Sequence, residues 1–306
     1  MSKDLIFKGS GVALVTPMLE DGSINYNKLY ELIDFHIDSK TDAIIIAGTT
    51  GESSTLTDDE YISLLNNSVK HASSRIKIIA GSGSNSTAKS IFKSQQAKFA
   101  GVDALLIVTP YYNKTSQDGL VKHYFSIAES VKMPIILYNV PSRTGLNIEP
   151  ETYLKLSEHP NIVATKEASG NLSKIAKTIS LCTDNKNNKN NLIIYSGNDD
   201  QIVPILSLGG QGVISVAANI FPTEIHDICN LFFENKISES AKLQINLIPI
   251  IEQLFKTVNP VPIKQAMNLL NMNVGKCRLP LTSMTENNIK ILKSCLDNYK
   301  INFNKF

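Results

Sequence analysis

Residues 134–167 read PIILYNVPSRTGLNIEPETYLKLSEHPNIVATKE, and this stretch contains the repeating unit of the chain. An apolar run, Pro134–Val140, precedes a longer segment of helical period, and a second apolar run, Ile162–Glu167, follows it. Neither run alternates polar and apolar residues, as expected of strands that are covered on both faces. The stretch therefore predicts a strand, a helical connection and a second, parallel strand.

This alternation occurs eight times along the chain. Eight strand–helix units in about 225 residues, with right-handed crossovers, close most economically into a (β/α)8 barrel. An open doubly wound sheet is the alternative, but its Gly-x-Gly-x-x-Gly turn is missing, because Gly81-Ser82-Gly83 lacks the third glycine. The predicted strands are Gly11–Pro17, Asp42–Gly48, Lys77–Gly81, Ala104–Pro110, Pro134–Val140, Ile162–Glu167, Leu192–Gly197 and Gly212–Ala217.

The strand pattern stops after the eighth unit. Three segments of helical period follow, Ser238–Lys256, Val261–Met272 and Thr285–Tyr299. We therefore predict two parts, a catalytic barrel over residues 1–236 and an all-helical C-terminal extension over residues 237–306. The run of Asn and Lys from Asp184 to Asn191 is typical of a solvated loop before the seventh strand.

The composition excludes several classes of function. The chain has 306 residues, 42% of them hydrophobic and 19% charged, and its net charge of +2 offers no basic stripe for a nucleic acid. The N-terminus has no signal-peptide pattern, and no apolar run reaches the roughly 18 residues of a membrane helix. The four cysteines are too widely spaced for a disulfide scaffold or a zinc ribbon, so they predict reduced thiols and a cytoplasmic protein.

No cofactor or metal ion is predicted. The five histidines lack metal-ligand spacing, and Asp199-Asp200 is more typical of a helix cap. The segment Gly81–Asn85 also lacks the Gly-Lys-Ser/Thr of a phosphate-binding loop.

Barrel enzymes carry their reacting groups at the carboxyl ends of the strands, and Lys166 is the unusual residue at such an end. The strand period places its side chain on the same face as Ile162 and Ala164, where apolar residues are usual. A strand lysine normally extends to solvent or pairs with an acid such as Glu167 or Asp199. At the mouth of a barrel, desolvation would instead lower its pKa and leave a neutral amine that can attack a carbonyl.

Schiff-base chemistry also requires a proton relay. Tyr138 lies near the end of one predicted strand, and Thr49 and Tyr112 follow two others. Their hydroxyl groups could pass protons without placing a charge beside the lysine. The turn Gly48–Gly51 could bind a carboxylate through backbone N–H groups and the Thr50 hydroxyl. Arg143 offers a planar guanidinium for a second carboxylate. Together these residues indicate the joining of a keto acid to an acidic partner.

Four motifs resemble the dihydrodipicolinate synthase family, of the pyruvate-dependent class I aldolase and N-acetylneuraminate lyase superfamily, and the likeness covers nearly the whole chain. The motifs occur in the family's order. They are Gly48-Thr49-Thr50-Gly51-Glu52, Tyr138-Asn139-Val140-Pro141-Ser142-Arg143-Thr144-Gly145, Lys166-Glu167-Ala168-Ser169 and Gly209-Gly210-Gln211-Gly212-Val213-Ile214-Ser215.

The resemblance implies a lyase that condenses pyruvate with L-aspartate 4-semialdehyde on the way to diaminopimelate and lysine. It makes Lys166 the Schiff-base residue and Tyr138 the proton donor, with Thr49 and Tyr112 completing the relay. Because the family's second tyrosine crosses from a neighbouring subunit, it also implies a homotetramer built from tight dimers.

The resemblance further implies the substrate contacts. Thr50 and the Ile214 backbone would hold the pyruvate part, with Gly197 in the same substrate-binding set, and Arg143 would hold the carboxylate of the semialdehyde.

One part of the pattern departs from the family members that lysine inhibits. These members carry histidines and a glutamate in a regulatory cleft, where this chain has Asp58, Tyr61 and Lys89, although Asn85 and Tyr111 fit. A cation at Lys89 repels the ammonium group of lysine, so feedback inhibition is predicted to be weak or absent.

Two other functions remain open on the sequence. A related aldolase that cleaves N-acetylneuraminate or a keto-deoxy sugar would share Lys166 and Tyr138, although a neutral polyol gives Arg143 nothing to pair with. A non-catalytic barrel would tolerate loss of Lys166 but would leave the relay unexplained.

Overall fold

The computed structural model describes residues 5–182 and 191–299 and contains a closed barrel of eight parallel strands. Each strand pairs with the next along the chain, and β1 closes the barrel against β8. The strands are β1 Gly9–Ala13, β2 Ala43–Ile46, β3 Lys77–Gly81, β4 Ala104–Val108, β5 Ile135–Asn139, β6 Ile162–Glu167, β7 Ile193–Ser196 and β8 Gly212–Ser215.

Helices connect the strands and then continue beyond the barrel. Among the described residues they are α1 Tyr26–Asp38, α2 Asp58–Ala72, α3 Thr87–Ala100, α4 Gln117–Val131, α5 Pro141–Thr144, α6 Pro150–Ser157, α7 Leu172–Cys182, α8 Ile202–Ser207, α9 Pro222–Phe233, α10 Ile237–Leu254, α11 Val261–Leu269 and α12 Glu286–Leu296. Short 3-10 turns lie at Asp199–Gln201 and Ala217–Asn219. The predicted barrel and the helical C-terminal extension are both confirmed.

Local sequence signals explain several helix starts. Thr57 and Glu60 exchange the two hydrogen bonds of a capping box at the start of α2. The Asn171 side chain accepts a hydrogen bond from the Lys174 amide and so caps α7.

The hydrophobic core has two parts, one inside the barrel and one between the strands and the helices. Phe7 enters the inner part and stacks on Tyr195, with ring centroids 4.3 Å apart. A Cβ atom on Gly11 would lie 2.9 Å from the Phe7 ring, so a larger residue there requires that ring to shift.

The first strand begins and ends earlier than predicted, at Gly9–Ala13 rather than Gly11–Pro17. Gly9 approaches Gly212 of β8 so closely that a side chain on Gly212 would overlap its backbone. Beyond β1, the Val15 amide bonds to the Asn219 side chain and the Thr16 hydroxyl bonds to the Gly51 carbonyl. Tertiary partners therefore end the strand before Pro17.

The predicted face of β6 needs one correction. Ala164 lies in the inner core, as expected, but Ile162 belongs to the outer core. The pairing of β5 with β6 passes from Ile162 directly to Ala164, so Val163 is an extra residue that reverses the alternation there.

Other sequence expectations concern the surface and the thiols. Residues 184–190 of the predicted solvated loop lie outside the described residues. None of the described helices has the length and apolar character needed to cross a membrane. All four cysteines are free thiols, with Cys182 and Cys229 buried and Cys277 and Cys295 partly exposed.

Candidate active site

Lys166 lies on β6 between Tyr138 of β5 and Tyr195 of β7, and only 4% of its surface is exposed. The two acids suggested as its ion-pair partners are engaged elsewhere. The Glu167 carboxylate accepts hydrogen bonds from Tyr153, Asn139 and Ser169. The Asp199 carboxylate accepts two from backbone amides near β8. The alternative of a solvent-directed lysine is therefore wrong for this chain.

Burial lowers the pKa of the Lys166 amine from 10.5 to about 8. The Asp199 carboxylate acts in the opposite direction, while the Arg143 guanidinium lowers the pKa further. At pH 7 a pKa of about 8 leaves about 10% of the amine neutral, compared with about 0.03% for an unperturbed lysine. The site therefore holds a lysine that can act as a nucleophile at neutral pH.

Tyr138 is the side chain in direct contact with this amine. The Lys166 Nζ atom lies 4.6 Å from the centre of the Tyr138 ring, and Tyr138 is itself buried. Burial raises the pKa of the Tyr138 phenol, although Arg143 and a hydrogen bond with Thr49 lower it. A phenol in this setting keeps its proton at neutral pH and can donate it to a nearby oxygen.

The turn after β2 carries Thr49 and Thr50, and the C-terminal extension holds part of it in place. The Asn259 side chain donates a hydrogen bond of 3.0 Å to the Thr50 hydroxyl. The Arg143 guanidinium donates one of 3.3 Å to the Asn259 carbonyl. Asn259 therefore links Thr50 and Arg143, the two residues predicted from the sequence to bind the carboxylates of the two substrates.

A buried ion pair fixes the other end of this turn. The Lys264 ammonium of α11 lies 2.7 Å from the Glu52 carboxylate, and both side chains are almost completely buried. The second Glu52 oxygen accepts a hydrogen bond from the Arg278 amide. The loop that ends β2 is thus tied to the extension at both Thr50 and Glu52.

Gly197 leaves room for the lysine. A Cβ atom there would lie 2.6 Å from the Ala168 Cβ and 3.1 Å from the Lys166 Cε. Ile214 is fully buried in the inner core on β8. Its side chain does not line the cavity at the barrel mouth.

A cavity of about 180 Å³ opens above Lys166 at the carboxyl ends of the strands. It brings together six of the eight predicted site residues, namely Lys166, Tyr138, Thr49, Thr50, Arg143 and Gly197. It has room for a small keto acid, with an amine, a phenol and a guanidinium at its walls.

Tyr112 stands apart from this group. Its side chain is 91% exposed, its φ angle is +70°, and it does not line the cavity of its own chain. A role for Tyr112 in the relay therefore requires a second copy of the chain.

Sequence reasoning missed the contributions of Asn259 and Phe255, which line the cavity from the extension. No local signal marks them, since Phe255 lies near the end of the predicted helix Ser238–Lys256, Asn259 lies just beyond it, and neither belongs to a motif. The helix-cap interpretation of Asp199-Asp200 is wrong, because neither α8 nor the 3-10 turn before it has a side-chain cap hydrogen bond. The Asp199 carboxylate instead accepts the amides of Val216 and Ala217 beyond β8. Over residues 5–182 and 191–299, no group of three or more His, Cys, Asp or Glu side chains could hold a metal ion.

Comparison with known proteins places this geometry in a family. The model of the dihydrodipicolinate synthetase family matches residues 6–299. The 4-hydroxy-tetrahydrodipicolinate synthase of Clostridium novyi (strain NT) is 53% identical over 294 residues, which are 96% of this chain and 97% of that protein. The crystal structure of dihydrodipicolinate synthase from Aquifex aeolicus aligns with a TM-score of 0.92 and 40% identity, covering 96% of this chain and 99% of that one. The chain therefore belongs to the dihydrodipicolinate synthetase family.

Proposed function

We propose that the chain is a lyase that condenses pyruvate with L-aspartate 4-semialdehyde to give 4-hydroxy-tetrahydrodipicolinate, in the biosynthesis of diaminopimelate and lysine. The observation that carries the proposal is Lys166, a buried amine with a lowered pKa beside a buried phenol. Relatives that are about half identical over nearly the whole chain bear the name of this activity.

The reaction begins when the neutral Lys166 amine attacks the ketone carbon of pyruvate. The carbinolamine then loses its hydroxyl group as water and becomes a Schiff base. Loss of a proton from the pyruvate methyl group gives an enamine, whose carbon attacks the aldehyde of the second substrate and forms the new carbon–carbon bond. The amine of the semialdehyde finally displaces Lys166, which closes the ring and restores the free lysine.

Tyr138 is proposed to donate the proton that allows the carbinolamine oxygen to leave as water. Thr49 holds the phenol by a hydrogen bond, and Tyr112 of the partner subunit completes the relay to solvent. The 91% exposure of Tyr112 supports this role, because the side chain is free to enter a second copy of the chain.

The two carboxylates are proposed to bind to different groups at the wall of the cavity. Thr50 and the Ile214 backbone hold the pyruvate carboxylate, and Gly197 leaves space for the adduct beside the Lys166 stem. Arg143 holds the carboxylate of the semialdehyde through its planar guanidinium. Asn259 bonds to both Thr50 and Arg143 and so fixes the distance between the two proposed contacts.

The proposed assembly is a homotetramer of tight dimers in the cytoplasm. We further propose that residues 1–236 form the catalytic barrel and residues 237–306 a helical extension that braces the active-site loops. No cofactor takes part in the proposed reaction, and neither nucleic acid nor membrane is a partner.

Turnover of the two candidate substrate classes tests the proposal against the sugar aldolase. The purified chain is expected to consume pyruvate and L-aspartate 4-semialdehyde, and Lys166→Ala is expected to lose this activity while keeping its thermal stability. Cleavage of N-acetylneuraminate with no turnover of the semialdehyde would contradict the proposal. Full activity of Lys166→Ala would favour a mechanism without a Schiff base.

A further inference from the structure

A second, larger cavity of about 450 Å³ lies between α3 and the loops that follow β2, β3, β4 and β5. We call it the α3 cavity. It shares Thr49, Val140 and Arg143 with the active-site cavity, but most of its wall belongs to other elements. The proposed condensation does not require a ligand in the α3 cavity, so any ligand that binds there has another role.

Lys93 is the unusual residue of the α3 cavity. Only 7% of this residue is exposed, although its side chain lines the cavity. Its Nζ atom lies over the Tyr61 ring, 4.9 Å from the centre. Within the part of the chain that the structure describes, the Lys93 ammonium has neither an ion-pair partner nor a hydrogen-bond acceptor. A buried ammonium without an anion is costly and normally has a partner.

The other charges of the α3 cavity add to this imbalance. Lys89, one turn earlier on α3, and Arg143 also line it, and no acidic side chain among the described residues does. The nearest carboxylate that acts on Lys93 is Asp58, at the exposed start of α2. Burial and the Lys89 charge both lower the pKa of Lys93, as expected where cations face each other without a counter-ion.

The remaining wall offers neutral donors. The hydroxyl groups of Ser53, Ser54 and Tyr111 and the amide of Asn85 line the cavity together with the cations. Hydroxyl and amide donors complete the coordination of carboxylate and phosphate oxygens once lysine or arginine neutralises their charge.

We propose that the α3 cavity is a binding site for a small doubly charged oxyanion, held by Lys93 and Lys89 and by the hydroxyl groups opposite them. The ligand class is a dicarboxylate or a phosphate, since both present the same charge and acceptor oxygens. Such a ligand supplies the missing partner of Lys93. Thr49 lines both cavities, so a ligand in the α3 cavity lies beside a residue of the proposed relay.

Calorimetric titration of the full chain tests this proposal, in a buffer free of carboxylate and phosphate ions. The probes are succinate and inorganic phosphate, titrated separately so that they distinguish the two sources. At least one probe is expected to bind, and its affinity is expected to fall at least tenfold in Lys93→Met. Lys89 is exposed, so Lys89→Met should weaken binding by a smaller factor.

Two control variants show whether the probe binds in the α3 cavity. Lys98→Met removes the same charge from the other end of α3 and should bind the probe as the wild type does. Lys166→Ala alters only the active-site cavity and should also bind normally. The Lys93→Met chain is expected to melt no lower than the wild type without ligand, because an apolar side chain replaces a buried charge.

The proposal is overturned if neither probe binds the wild-type chain. It is equally overturned if Lys93→Met and the wild type bind the probe with the same affinity, or if Lys166→Ala alone abolishes binding.

Discussion

Opposing influences on the Lys166 amine set the reactivity that we propose for it. Burial lowers its pKa to about 8, and the Asp199 carboxylate keeps the pKa from falling further. Asp199 is buried and makes its own hydrogen bonds to the Val216 and Ala217 amides, so its position does not depend on the lysine. The pair therefore sets the fraction of neutral amine at a given pH.

Asp199→Asn is expected to move the pH dependence of kcat/KM for pyruvate. Because the neutral amine is the nucleophile, kcat/KM of the wild type should rise with pH and level off above about 8. Loss of the Asp199 charge lowers the pKa of Lys166, so the rise should shift to lower pH. Asp200→Asn, at the exposed neighbouring residue, should leave the profile unchanged, and a shift of Asp199→Asn to higher pH would contradict the account.

Local chemistry made most of the active site predictable from sequence. Lys166, Tyr138, Thr49 and Arg143 each stand at the end of a strand whose position follows from its apolar run. Asn259 was not predictable, since its contact with Thr50 joins residues 209 positions apart and depends on how the extension packs. The predicted position of Ile162 on the inner face of β6 was also wrong, because one extra residue in this strand reverses the alternation of its side chains.

At the scale of elements, the helices set what the loops can bind. Helix α3 presents Lys89 and Lys93 toward a cavity bordered by Asn85 and Tyr111. Tyr61 of α2 is fully buried, and its ring lies beneath the Lys93 ammonium. Four of the positions that the resemblance assigns to a lysine-binding cleft therefore line or border a strongly cationic surface.

L-Lysine is expected to inhibit the enzyme weakly or not at all. The Lys89 and Lys93 charges repel its two amino groups, and no acidic side chain on the described wall of the cavity offsets them. Inhibition measured over a range of L-lysine concentrations should reach half only above the submillimolar range. Lys89→Glu should lower the half-inhibitory concentration, and half-inhibition of the wild type by submillimolar lysine would contradict the prediction.

The contact between the β2 turn and α11 is expected to be important for stability. Lys264→Met leaves the Glu52 carboxylate buried without its cation and should lower the free energy of unfolding by about 3–5 kcal/mol. Lys77→Met removes a partner of the exposed Lys77–Asp103 pair and should cost less than about 1 kcal/mol. Urea denaturation measures both, and equal effects of the two variants would argue against a structural role for the buried pair.

The sequence pattern predicts where most strands of the barrel begin, but it fails at β1. The strands from β2 to β8 begin at or next to their predicted starts because buried parallel strands are continuous apolar runs. The start of β1 contains Gly9 and Gly11, which resemble a turn in sequence. Gly9 has a φ angle of +116° and lies against the Asp42 carboxylate, and Gly11 lies against the Phe7 ring. These close approaches appear only in the closed barrel.

At the scale of the whole molecule, one chain leaves the proposed relay unfinished. Tyr112 is exposed and lies away from the active-site cavity of its own chain. In the proposed dimer, the Tyr112 side chain leaves solvent and completes the relay of the partner subunit.

Complementation between two inactive variants tests this arrangement. Tyr112→Phe and Lys166→Ala are each expected to have low activity, and co-refolding them together should restore activity. In a mixed dimer, Tyr112 of the Lys166→Ala subunit enters the active site of the Tyr112→Phe subunit, which keeps its lysine. Each variant refolded alone is the control, and a mixture no more active than the sum of the two would place Tyr112 outside the partner's site.

Borohydride reduction in the presence of pyruvate tests the central claim most directly, since it fixes a Schiff base as a stable secondary amine. Peptide mass analysis is expected to find a three-carbon adduct on Lys166, and the trapping rate should increase with pH up to about 8. Lys166→Ala should give no adduct. An adduct on another lysine, or none at all on the active wild-type enzyme, would contradict the account.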